Sequence, residues 1–181
     1  MHIKSRSDIP SLLGNLKLTG QGAEIGVLRG GFSVALLCGW GCRTLYSIDP
    51  WKHVDSGYTD INNLSNGAYE QCYKTACKAL APFGDRSKIL RMASKDAAEL
   101  FVDGQLEFVY IDANHSYEAC LEDIGLWFPK VKHGGVIAGH DYLNGTLKCG
   151  EFGVKRAVDE YFSGKHVIVT LDEWPSWIVL L

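Results

Sequence analysis

Between Ala23 and Ala138, short apolar runs alternate with segments whose apolar residues recur every three or four positions. That switching of period leaves few solutions. Each strand–helix–strand unit crosses over right-handed and returns parallel, building one mostly parallel sheet with helices on both faces. The pattern predicts strands at Ala23–Val27, Thr44–Asp49, Lys88–Met92, Glu107–Ile111 and Val136–Ala138. Helices are predicted around Phe32–Cys38, Gly67–Ala81, Ser94–Phe101 (with Ser94 as cap), Tyr117–Phe128 and Val154–Phe162. The unbroken run Phe108-Val109-Tyr110-Ile111 reads as a strand buried on both faces. His166–Thr170 and Ser176–Leu181 follow with no helix between them, so they are expected as antiparallel neighbours. The prediction is a doubly wound α/β sandwich with a seven-stranded, mostly parallel sheet and an antiparallel C-terminal strand.

No repeat or linker divides the 181 residues, which predicts one domain over 1–181. With 18 Lys+Arg against 21 Asp+Glu the chain lacks the basic excess that nucleic acid or an anionic membrane would call for. No run approaches the ~18 apolar residues of a membrane span, and Met1–Asp8 has no signal-like apolar stretch. The six cysteines lack the two-residue spacings of zinc sites. Reduced cysteines in a cytoplasmic protein are the expectation, with Cys38/Cys42 and Cys72/Cys77 as small buried residues.

In such sheets ligands bind beyond the carboxyl ends of the strands, where the strand order reverses. The first strand ends in Glu24-Ile25-Gly26-Val27-Leu28-Arg29-Gly30-Gly31. A dinucleotide fingerprint would need glycine where Glu24 and Arg29 stand, which disfavours a nicotinamide-dependent oxidoreductase. Glu24, Gly26 and Gly30 instead suit close backbone approach to an uncharged or cationic ligand. Asp49 ends the second strand and is placed to accept from both hydroxyls of a ribose, or else to cap the turn before Pro50. Ser94 and Asp96 follow the third strand, where an adenine edge would lie, or simply begin a helix. Asp112 and His115 follow the fourth strand, and His140 and Asp141 the fifth. Carboxylates and imidazoles converging on one rim suit a divalent cation, a general base, or both.

These segments, together with Ser47-Ile48-Asp49-Pro50-Trp51 and Phe152-Gly153-Val154, resemble class I S-adenosylmethionine-dependent methyltransferases. The nearer likeness is to the small-molecule O-methyltransferase branch that includes macrocin O-methyltransferase and cephalosporin hydroxylase-type proteins. The resemblance spans roughly residues 8–165. It implies a Rossmann-like fold, with Glu24, Gly26 and Gly30 around the methionine portion of the cofactor and Asp49 on its ribose. Ser94 and Asp112 complete that cofactor set. It also implies a magnesium ion on Asp112 and Asp141, with His140 where some relatives have an acid or amide, and His115 as general base. The implied substrate is a small hydroxylated metabolite, with a second copy of the chain as a further candidate partner. A non-catalytic module holding an adenosine ligand is the alternative. Trp51–Ala68 is expected to be a mobile lid, with Trp51, Tyr58 and Tyr142 as an aromatic wall.

Overall fold

Phe108, Val109 and Tyr110 are wholly buried, as their unbroken apolar run requires. They lie at the centre of the sheet in a computed structural model that describes residues 3–55 and 60–181. In chain order the elements are α1 (Ile9–Asn15), β1 (Gln21–Ile25), α2 (Gly31–Gly39), β2 (Thr44–Ile48) and α3 (Asn66–Leu80). β3 (Ser87–Leu90), α4 (Ser94–Ala98), β4 (Leu106–Ile111), α5 (Tyr117–Trp127) and β5 (Val131–Gly139) follow. The chain closes with β6 (Gly145–Leu147), β7 (Gly150–Phe152), α6 (Val154–Tyr161), β8 (Ile168–Val169) and β9 (Trp177–Leu180).

Seven strands form one sheet in the order β3-β2-β1-β4-β5-β9-β8. All run parallel except β9, which is antiparallel to both β5 and β8. This is the predicted architecture. Side-chain alternation divides the core between the two faces: Ala23, Ile25, Val109, Ile111 and Ile137 pack with α5 and α6. Leu45, Phe108, Tyr110, Val136 and Ile178 pack with α1 and α2 on the other side.

The order reverses between β1 and β4, and there the parallel ladder runs one residue past the strand ends. Gly26 N donates to Ile48 O (2.9 Å), Asp112 N to Ile25 O (2.7 Å) and His140 N to Ile111 O (3.0 Å). Backbone register alone therefore aligns Gly26, Asp112 and His140 side by side.

Four local expectations change. Ala93, not Ser94, is the N-cap of α4, and the Ser94 hydroxyl turns to Asp123 and to Trp127 Nε1 instead. Trp51 is buried against Tyr73 with its Nε1 donating to Leu28 O, so it is core rather than aromatic wall. Tyr142 bonds Asp159 and carries Lys155 on its ring at 4.7 Å, on the outer side of the site. Tyr58 lies outside the described residues. Of the paired cysteines, Cys42 and Cys72 are buried as expected, whereas Cys38 is exposed. The β6–β7 hairpin is absent from the sequence reading: its strands have three residues each and β6 is wholly exposed, so no apolar alternation announces it.

Candidate active site

A cavity of about 600 Å³ opens over the β1/β4 switch point. Glu24, Asp49 and Ser94 line one part of it, and Asp60, Asp112, His115, His140 and Asp141 the other.

Glu24 is buried, accepts from Ser33 Oγ, and has the Ser33–Ser47 hydroxyl pair beneath it at 2.8 Å. Burial pushes its carboxyl up to about 8, with Ser33 and Arg6 opposing the rise and Asp112 and Asp49 adding to it. At neutral pH Glu24 is therefore mostly an uncharged acid. Gly26 has φ +86°, and a Cβ there would lie 1.8 Å from Asp112 O. Its missing side chain serves the passage of β4 beside β1. Gly30 is the left-handed N-cap of α2 (φ +81°), and a Cβ on it would meet Ala76 of α3 at 3.3 Å. Gly31, rather than Gly30, lines the cavity.

Asp49 faces the cavity but already organises its wall. Its Oδ2 accepts from Val27 N and Leu28 N (both 2.9 Å), and its Oδ1 from Trp51 N (2.7 Å). Leu28 (φ +50°) and Trp51 (φ +45°) hold the left-handed conformation that L side chains avoid. The carboxylate stabilises both strained amides, so the ribose-binding and turn-capping readings of Asp49 are compatible. Ser94 reaches the cavity together with Asp123, whose carboxyl burial raises to about 6.

At the other end His115 is enclosed by acids. Its Nδ1 pairs with Asp60 Oδ2 at 2.9 Å. Its Nε2 lies 3.0 Å from Asp141 Oδ2 and 3.7 Å from Asp112 Oδ1, and the ring stacks on Phe152 at 5.0 Å and 8°. Burial works to lower its pKa, but Asp112, Asp60 and Asp141 outweigh it and lift the imidazole to about 10. Asp112 moves the opposite way: burial raises it, yet His115, His140 and Arg6 hold it below the usual carboxylate range. Asp141 occupies a left-handed position (φ +53°) at the end of β5, the kind of strain that gathers at functional sites.

Ligand atoms of Asp112, His115 and Asp141 lie within 4.8 Å of one another. His140 stands beside this group, with Nδ1 2.9 Å from Asp141 Oδ1 and 3.8 Å from Asp112 Oδ1. Both His115 and His140 thus bring an imidazole to the two acids. Both His115 Nε2 and Asp141 Oδ1 are buried with no hydrogen-bond partner.

Two site residues carry no sequence signal. Asp60 belongs to the segment expected as a lid, and where that segment is described it is bonded in place. Ile61 N donates to Cys149 O (2.8 Å), Tyr69 Oη to Asn62 O (2.6 Å) and Asn63 Nδ2 to Val54 O (2.8 Å). Arg6, ahead of the first predicted strand, reaches Asp112 Oδ2 at 3.2 Å. Among the described residues no helix is long and apolar enough to cross a membrane.

No curated protein matches the chain. Among solved structures it is similar to an O-methyltransferase from Bacillus cereus in complex with SAH, at 14% identity and TM-score 0.67, covering 97% of this chain and 80% of that one. An O-methyltransferase family protein from Burkholderia thailandensis matches at 16% identity and TM-score 0.65, covering 96% and 54%. An rRNA methylase from Streptococcus thermophilus matches at 13% and 0.59, covering 89% and 84%. At these identities the likeness is one of fold. The family described as "Methyltransferase domain" matches residues 23–142, most of the sheet and every strand end that lines the cavity. With about two thirds of its length inside that match, the chain belongs to the methyltransferase domain family.

Proposed function

We propose that residues 1–181 act as one S-adenosylmethionine-dependent methyltransferase domain that methylates a hydroxyl of a small metabolite. One observation carries this reading: a single cavity joins the Glu24–Asp49 wall to the Asp112–His115–Asp141 cluster. A cofactor along the first and an acceptor at the second would meet in line. In the reaction the acceptor oxygen attacks the methyl carbon, the carbon–sulfur bond breaks toward sulfur, and the hydroxyl proton goes to a base. Glu24, Gly26 and Asp112 would surround the methionine portion, with Gly30 capping the helix beside it; Asp49 would take the ribose hydroxyls and Ser94 would lie toward the adenine.

Asp112 and Asp141, with His140 beside them, would hold a divalent cation, since their ligand atoms converge on the rim and Asp141 Oδ1 is buried without a hydrogen bond. Such an ion would lower the acceptor hydroxyl's pKa and orient it. An imidazole among the donors shifts preference from magnesium toward manganese or another transition ion. His115 is the assigned base, yet three acids keep it protonated at neutral pH. It can accept a proton only when the field of Asp112 and Asp141 is neutralised, so acceptor deprotonation is confined to the assembled site.

Calorimetry on the wild-type protein tests the reading. S-adenosylhomocysteine is expected to bind and NAD is not. NAD binding alone, or binding of neither, would overturn it.

A second prediction follows from Glu24. Its folded pKa of about 8 exceeds the ordinary 4.5, so the folded chain holds more protons than the unfolded chain between those values. Stability of the ligand-free protein should fall as pH rises through that window, and Glu24→Gln should make the slope in thermal denaturation shallower, with Asp123 and His115 keeping their own share of it. Ionisation above pH 8 also places a carboxylate near a sulfonium. S-adenosylmethionine should then bind several-fold more tightly at pH 9 than at pH 7, while the neutral sulfur of S-adenosylhomocysteine gives a flatter profile.

A further inference from the structure

Arg6 lies outside the family match at residues 23–142, and the mechanism above leaves it without a task. It nevertheless lines the cavity. Its guanidinium sits over the Phe32 ring at 5.4 Å and donates through Nη1 to Asp112 Oδ2 at 3.2 Å. The turn carrying it, Arg6–Asp8, is braced on both sides. Asp8 Oδ2 accepts from Lys4 N (2.8 Å) and Ser5 N (3.2 Å), and Lys4 O accepts from Leu171 N (2.9 Å) beside the closing strands. A loose segment would not hold a cation at this wall. This one is tied to the last part of the sheet.

The charges at this end of the cavity are unevenly matched to its proposed occupant. An α-amino acid end brings an ammonium and a carboxylate. Glu24 and Asp112 are acceptors suited to the ammonium. Neither suits the carboxylate, and a guanidinium with five donors, in a geometry that takes carboxylates in pairs, does. Asp112 can keep Arg6 in place through Oδ2 while its Oδ1 faces His115 and His140 at 3.7 and 3.8 Å. Resting on the methyltransferase reading, we propose that Arg6 binds the carboxylate of the cofactor's methionine moiety and that Asp112 orients it from behind.

The test compares two probes by calorimetry. S-adenosylhomocysteine has the amino-acid end; 5′-methylthioadenosine keeps the adenosine and the thioether but lacks that end. Arg6→Gln is expected to weaken S-adenosylhomocysteine by about 10- to 100-fold, the range of a lost charge-assisted hydrogen bond. It should leave 5′-methylthioadenosine unchanged, which also shows that the variant is folded. Arg6→Lys should recover part of the loss. Unchanged S-adenosylhomocysteine binding, or equal losses for both probes, would overturn the assignment. If wild-type protein binds neither probe, the methyltransferase reading itself fails, and Arg6 with it.

Discussion

Gly26→Ala is expected to abolish the native fold, or to lower its stability by more than about 4 kcal/mol, a loss that few single substitutions reach. A Cβ at this position would lie 1.8 Å from Asp112 O and 2.9 Å from Ala113 Cα, with φ at +86°. Those are backbone atoms and cannot swing aside. Asp112 N is bonded to Ile25 O at 2.7 Å and Gly26 N to Ile48 O at 2.9 Å, so any relief breaks the ladder at the centre of the sheet. Domains of this kind have about 5–15 kcal/mol in total. Gly31→Ala is the control: nothing lies within 4 Å of its Cβ position, and alanine in a helix gains up to ~1 kcal/mol over glycine. Urea denaturation of the two variants checks both. A Gly26→Ala midpoint equal to wild type would show that the two strand ends do not approach this closely.

His115→Ala is expected to remove catalysis and also to destabilise the protein at neutral pH, by about 3–5 kcal/mol, as for other broken buried ion pairs. The substitution leaves Asp60, Asp112 and Asp141 facing one another without the cation that lies 2.9–3.7 Å from each. The pH dependence separates this cause from a simple cavity. In wild type, His115 is lifted from 6.5 to about 10. Its contribution to stability is complete below the lower value and is lost as pH rises through the upper one. In His115→Ala the cost resides in the three carboxylates, so stability should recover as acid protonates them. Denaturant midpoints of the two proteins should therefore converge toward pH 4. A constant gap across pH would assign the loss to packing against Phe152 instead.

The sheet was legible because its period was. Unbroken Phe108–Ile111 placed β4 at the centre, and the helix-free interval before Ser176 gave the one antiparallel strand. The strand-end rule then brought Glu24, Asp49, Asp112 and Asp141 to one rim without any knowledge of side-chain contacts. The rest was hidden by distance along the chain. Asp60 pairs with a histidine 55 residues away, and Arg6 with an aspartate 106 residues away. No spacing rule connects such positions. Ser94 shows the converse error: a serine at a helix start reads locally as a cap, but Asp123 and the Trp127 indole compete for the hydroxyl and hold it.

The lone antiparallel strand has a consequence for how this protein comes into being. Synthesis runs from the N-terminus, so the Arg6 turn leaves the ribosome before the sheet does, and β9 is the last of its strands to follow. Yet Lys4 bonds Leu171, Tyr142 N bonds Pro175 O, and the Tyr110 hydroxyl meets Ser176. The nascent chain can assemble β1 to β5 early, while the Arg6 turn still lacks its Leu171 partner. The segment from Leu171 to the last strand thus acts as a timer, delaying a fully braced pocket until it has been made.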